Sequence, residues 1–432
     1  MLWVADLCYV LAGLIYLPHL LYEMVFLKKN RHGWTERRGC LDSLPPDRQR
    51  IWIHAVSLGE MNATRSLVAA LREQWPDGQV VISTTTDTGY ARGRELYPDL
   101  YVFRCPLDFS WIVRRALSRI NPSLIVLVEL EVWHNLTLLA SRQGLPVVVF
   151  NGRLSEHSFR RYRMIQALVR PMFARLAWVG AQDAAYARRF QNLGVAPDRI
   201  TVTGSVKYDT APTDPDVPGA EELREDLGLA ADEWLWVCGS TGPGEEEIIL
   251  RAYAALRGDL PHLRLAIVPR KPERFDEVAR LIERTGYPCF RRSASGGRTV
   301  SALDQPGRPA VILGDTMGEL RKFYALACVV LVGRSLVPMG GSDVIEAAAL
   351  AKPLLVGPHV QNFADAVEQL KLRDGLRMTT PEHLAADVKS ILENPDLARS
   401  LAASARSVVQ ANLGATARTL SALLSVLPGP TR

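Results

Sequence analysis

Several kinds of chemistry are ruled down by what this chain does not contain. Its six cysteines (Cys8, Cys40, Cys105, Cys238, Cys289 and Cys328) form no Cys-x-x-Cys pair, which argues against a zinc ribbon or a disulfide framework and fits a reducing cytoplasm. The eight histidines stand alone, with no His-x-x-x-His and no Cys/His cluster, so no metal site is expected. A Gly-x-Ser-x-Gly elbow and a Walker lysine are also missing. No low-complexity tract and no short-period repeat occurs. Although the net charge is +5, there is no long basic block, and nucleic acid is not an expected partner.

Residues Met1–Leu27 contain neither Lys nor Arg and are mostly apolar, and Lys28, Lys29, Arg31, Arg37 and Arg38 follow them closely. This pattern predicts a membrane anchor over 1–27, because a signal peptide would carry its positive charge before the apolar run. The basic cluster suits an anionic membrane surface, and the positive-inside rule places the remainder in the cytoplasm. Asp6, Pro18 and Glu23 weaken a full span and leave an interfacial helix, or an amphipathic first helix packed on the domain, as alternatives.

At 432 residues, two domains are expected. From Arg50 onward short Val/Ile-rich runs alternate with helical patterns, the signature of βαβ units. One series runs to Tyr208, the proline-rich stretch 210–219 reads as a linker, and a second series follows it. The expectation is an α/β chain of two Rossmann-like domains, 28–209 and 220–432, facing a cleft, with a helical tail on the second. Asp214-x-Asp216, formally a metal-binding spacing, lies among the linker prolines and is read as chance.

The strand Ile51–His54 runs into Ala55-Val56-Ser57-Leu58-Gly59-Glu60 and then a helix, which puts Glu60 in a βα loop at a strand's carboxyl end. It is a candidate general base; the competing reading is a helix N-terminal acid interacting with the dipole. Glu129 and Glu131 end another apolar strand, where alternation puts them on one face. Lys207 closes the first series in Gly204-Ser205-Val206-Lys207-Tyr208, where a lysine is also read as simply solvated. Four loops of the second series suit a nucleotide mono- or diphosphate: the turn from Gly239 to Glu247, Pro269-Arg270-Lys271, Met317-Gly318-Glu319 and Asp343-Val344-Ile345-Glu346. Glu346 is placed to accept both hydroxyls of a ribose.

Taken in order, His54-Ala-Val-Ser-Leu-Gly-Glu60, Glu129-Leu-Glu-Val-Trp133, Gly204-Ser-Val-Lys-Tyr-Asp209, Pro269-Arg-Lys-Pro-Glu-Arg-Phe275, Gly314-Asp-Thr-Met-Gly-Glu-Leu320 and Gly340-Gly-Ser-Asp-Val-Ile-Glu346 resemble the 3-deoxy-D-manno-octulosonic acid (Kdo) transferases. The resemblance runs from the anchor to about Gln369. It implies a GT-B fold, CMP-Kdo as donor, the lipid A precursor as acceptor, and inverting, metal-independent transfer without a cofactor at the cytoplasmic side of the inner membrane. It also implies Glu60 as base and Glu131 and Lys207 as supports of the transition state. Pro269, Arg270, Met317, Gly318, Glu319, Asp343, Val344, Ile345 and Glu346 match CMP-binding positions.

The departures fall in the donor loops: Gly242, Lys271 and Ser342 stand where the family usually has His, and Asp343 where it has Asn. Lys271 is expected to offset the charge of Asp343, so that the two are coupled. A GT-B enzyme with another nucleotide-sugar donor, an epimerase, and a catalytically silent membrane-attached nucleotide-binding protein are the rival readings.

Overall fold

The computed structural model describes residues 2–26 and 32–429. Lys28, Lys29 and Arg31 of the basic cluster lie outside the described residues. The chain divides into two units, 1–210 with 412–432, and 211–411.

The first unit is built on a seven-stranded sheet: β1 (Arg50–His54), β2 (Gln79–Thr84), β3 (Tyr101–Arg104), β4 (Leu124–Val128), β5 (Val147–Gly152), β6 (Trp178–Ala181) and β7 (Ile200–Val202), in the order β3-β2-β1-β4-β5-β6-β7. All of its neighbours are parallel. Helices cover both faces, which is why β1 and β4 are buried at every position and read as unbroken apolar runs. One face packs Met61, Leu67 and Leu71 of the helix Leu58–Gln74, and the other packs Val113 and Leu117 of the helix Ser110–Ile120.

The second unit carries β8 (Trp234–Thr241), β9 (Leu263–Pro269), β10 (Cys289–Arg291), β11 (Val311–Leu313), β12 (Val329–Val332), β13 (Leu354–Val356) and β14 (Arg377–Met378), ordered β10-β11-β9-β8-β12-β13-β14 and again parallel. The edge strands β10 and β14 were not expected. Three and two residues long and each containing Arg, they show no apolar run.

The domain expected over 220–432 is corrected at its end. The helix Ala415–Val426 belongs to the first unit, where Leu420 and Leu423 join the cluster around Leu67 and Leu71. Asp209 accepts from the N–H groups of Gly414 and Thr416 at 2.7 and 2.6 Å, and Arg418 donates to the Thr203 carbonyl at 2.6 Å. Amphipathic spacing in the tail reveals that a face is buried, and the partner of that face is decided by these long-range contacts. The residues read as a linker begin at the break after Thr210, and most are ordered against the second unit. Ala211 and Val217 are buried, and Asp214 accepts from the Asp216 N–H at 3.0 Å in a turn.

The predicted anchor is also revised. The first helix, Leu2–Val25, is docked on its own unit: Asp6 is buried and accepts from the Ser110 N–H (2.8 Å), the Ser110 hydroxyl (2.6 Å) and the Asn135 amide (2.9 Å), while Tyr9 donates to Asp108 at 2.8 Å. The acid that weakened the case for a span is the one that holds the helix down. Farther along, Leu11, Leu14 and Ile15 are exposed. Among the described residues no helix is long and apolar enough to cross a membrane.

Candidate active site

In the first unit the strand order reverses between β1 and β4, the place where open α/β sheets take ligands. Glu60 sits there, on the first turn of the helix that follows β1. Ser57 caps this helix, its hydroxyl accepting from the Glu60 N–H at 3.3 Å and donating to Glu60 Oε1 at 2.9 Å. The Val56 N–H donates to Oε2 at 2.9 Å. The helix-terminal reading of Glu60 is therefore geometrically real, as a variant of the capping box in which the carboxylate reaches the N–H one residue before the cap. Each carboxylate oxygen still keeps a lone pair beyond its single hydrogen bond. Burial, with Glu129 and Glu131 adding to it, pushes the carboxyl up to about 7 against the Val56 and Ser57 hydrogen bonds. His54, from the same motif, is not a rival base at neutral pH. Burial holds its imidazole down to about 4, with Nδ1 on the Ser83 hydroxyl at 2.9 Å.

The two acids after β4 reach Glu60 by another route than strand alternation. β4 ends at Val128, and Glu129 takes the left-handed region at φ 62°, so the pleat stops before either acid. A non-glycine residue held there costs energy that surrounding contacts must offset. Burial raises the Glu131 carboxyl, a hydrogen bond with Trp133 opposes this, and Glu129 adds to it. Lys207 is half-buried on the short helix Val206–Asp209, which packs against the Glu60 helix. Asn151, also left-handed at φ 55°, accepts from the Val206 N–H at 3.3 Å, and Asp209 ties the far end of this turn to the tail helix.

In the second unit the reversal lies between β8 and β12, and beside it is a cavity of about 260 Å³ lined by Arg270, Arg334, Ser342, Asp343 and Glu346, among others. Three of the expected donor residues, Arg270, Asp343 and Glu346, meet here. Burial raises the Glu346 carboxyl and Asp343 adds to that, against Arg321 and Arg270. Asp343 accepts from the Ile345 N–H at 2.9 Å. Val344 and Ile345 bury their side chains in the core. Pro269 ends β9, and Met317-Gly318-Glu319 precede Leu320, which does line the cavity. Met317 is exposed and Gly318 has φ 86°. Burial pushes the Glu319 carboxyl up, but Thr316, Arg292 and Lys322 together hold it below the ordinary range. Lys271 is not among the lining residues. Its exposed ammonium pairs with Glu273 at 3.6 Å, which removes the expected partner of Asp343.

Arg334 in this cavity's wall, and Glu245, which accepts from the Arg334 N–H, have no role in the sequence reading. Arg334 follows a strand with no motif around it, and the buried Glu245 reads simply as an acid in a helix's first turn. Among the described residues no group of three or more His, Cys, Asp or Glu could hold a metal ion.

The family model described as 3-Deoxy-D-manno-octulosonic-acid transferase (kdotransferase) matches residues 32–210. The 3-deoxy-D-manno-octulosonic acid transferase of Haemophilus influenzae is 32% identical over 91% of this chain and 90% of that one. This chain belongs to the Kdo transferase family. The Bordetella pertussis Kdo transferase is 35% identical over 86% of each chain. As a Kdo transferase family member the chain is a glycosyltransferase, and its two parallel-sheet α/β units resemble GT-B enzymes. A crystal structure of a glycosyltransferase from Rickettsia africae shares this fold with a TM-score of 0.56, at 14% identity, covering 89% of this chain and all of that one.

Proposed function

We propose that this Kdo transferase moves Kdo from CMP-Kdo to a glucosamine hydroxyl of the lipid A precursor in lipopolysaccharide core biosynthesis, with inversion at the anomeric carbon. Glu60 takes the proton of the acceptor hydroxyl as its oxygen forms the new bond to that carbon. The bond to the phosphate oxygen breaks on the opposite face, and CMP leaves with the electron pair. The observation that carries this reading is the place of Glu60 on the first turn of the helix after β1, at the sheet's point of reversal, where burial and the neighbouring acids raise its carboxyl to about 7 and suit it to deprotonating a hydroxyl near neutral pH. Glu131 and Lys207 support the charge that develops in the transition state. Arg270, with the backbone of Met317–Glu319 and Asp343–Ile345, receives the phosphate, and Glu346 the ribose. No divalent metal takes part, since the arginine and backbone donors supply the positive field; EDTA should leave the rate unchanged. The test of the reaction is incubation with CMP-Kdo and the lipid A precursor, followed by mass spectrometry of the lipid. A gain of Kdo mass is expected, and an unmodified lipid contradicts the proposal.

The same reading places the enzyme on the cytoplasmic side of the inner membrane, with the exposed part of the first helix lying in the lipid interface. Its support is the apolar surface of Leu11, Leu14 and Ile15 on a helix whose beginning is fixed to the acceptor-binding unit. Wild-type protein should float with anionic vesicles, and L14E/I15E should not.

A further inference from the structure

The donor cavity holds a cation that no motif pointed to. Arg334 follows β12 in the left-handed region, at φ 59°, and a non-glycine residue stays there only where its surroundings determine it. Glu245 does so. Its carboxylate accepts from the N–H of Arg334 at 2.5 Å and from those of Ser335 and Leu336 at 2.9 Å each. Fully buried at the start of the helix Glu245–Leu256, it clamps three successive backbone donors and thereby aims the Arg334 side chain.

That side chain lines the same cavity as Arg270. Its Nη2 donates to the Met339 carbonyl at 3.3 Å, and its buried Nε has no hydrogen-bond partner. A buried guanidinium N–H without an acceptor is costly, and a bound oxyanion removes the cost. The stem of Arg334 packs against Gly242, where a Cβ would lie 2.6 Å from the Met339 sulfur and 3.1 Å from Arg334 Cγ.

We propose that Arg334 is a second donor-binding cation, aimed by Glu245, which together with Arg270 receives an oxyanion of the donor, either the nucleotide phosphate or the carboxylate of the sugar acid. This rests on the donor reading above and deepens it. The decisive variant is R334G, because glycine fits the left-handed backbone while removing the charge. Its melting temperature should not fall, so a lost affinity cannot be assigned to misfolding. Calorimetric titration with CMP and the KM for CMP-Kdo separate the two oxyanions. CMP affinity about tenfold weaker assigns Arg334 to the phosphate; unchanged CMP affinity with a KM raised about tenfold assigns it to the carboxylate. R334K should recover part of either loss. If CMP affinity and KM both stay within about twofold of wild type, the proposal is overturned. Should wild-type protein bind neither CMP nor CMP-Kdo, the donor reading fails, and Arg334 is judged with inorganic phosphate. Phosphate binding lost in R334G then upholds its anion role, and phosphate binding that is unchanged or absent in wild type overturns it.

Discussion

At its point of reversal the first sheet gathers acids, whereas the second sets two arginines beside its acids Asp343 and Glu346. Glu60, Glu129 and Glu131 stand beside β1 and β4, close enough for Glu129 to raise the carboxyls of both Glu60 and Glu131, whereas Arg270 and Arg334 line the cavity beside β8 and β12. Both sheets are parallel, both reverse beside their first strand, and both reserve the loops there for side chains. The architecture thus selects where a site is built, and in the proposed reaction the loop residues select its chemistry, a base in one unit and anion receptors in the other. Even the acids of the two units differ. Burial and like charges leave Glu60 poised to take up a proton, while the buried Glu245 accepts from the N–H groups of Arg334, Ser335, Leu336 and Gly242 and serves to hold a turn.

The sharpest way to break this division is to remove the base. E60Q keeps the side chain's size, with an amide oxygen that can still accept from the Val56 N–H and an amide NH2 that can donate to the Ser57 hydroxyl, and should lower turnover roughly 10³-fold with CMP affinity unchanged. A matching loss of CMP affinity would merge the two roles. The substitution also tests the raised carboxyl independently of activity. A carboxyl raised in the folded state favours folding below its unfolded value, and that contribution is lost as pH rises through about 7. E60Q should therefore gain stability over wild type at pH 8 compared with pH 5, as read by thermal melts. The complementary substitution, R270Q, should raise the KM for CMP-Kdo about 10- to 100-fold, the range for losing a charge-assisted hydrogen bond, with a smaller effect on turnover.

A smaller effect separates the units in folding. Asp209 caps a helix that returns from the far side of the second unit in sequence, and D209A should cost about 0.5–2 kcal/mol in chemical denaturation. The loss should appear in the first unit's transition and leave CMP binding intact. The smallest effect concerns Lys271 and Asp343. Since Lys271 pairs with Glu273 outside the cavity, K271H and D343N should add within about 0.5 kcal/mol in CMP titrations. A larger interaction energy would return Lys271 to the site.

Much of the fold is legible in the sequence. Strands buried on both faces announce themselves as apolar runs, and Glu60 follows from a strand, a glycine and a helix start in succession. Strand alternation, from which Glu129 and Glu131 were expected on one face, does not reach them, because β4 ends at Val128 and the left-handed Glu129 cannot be read from alternation. The position of the tail helix, the docking of Asp6 under Ser110 and Asn135, and the aiming of Arg334 by Glu245 all depend on contacts distant in sequence. Periodicity carries no record of them. Arg334 has a further reason to be missed, since an arginine after a strand looks like any solvated surface charge until its backbone angle and its neighbours are known.

The pH dependence of turnover tests the central claim most directly. If Glu60 is the base, kcat for Kdo transfer should fall about tenfold per pH unit below a midpoint near 7 and level off above it, and E60Q should lose this limb together with the rate. A wild-type profile that stays flat from about pH 5 to 8, or an E60Q enzyme that keeps both the rate and the limb, would contradict the assignment of the base to the first unit.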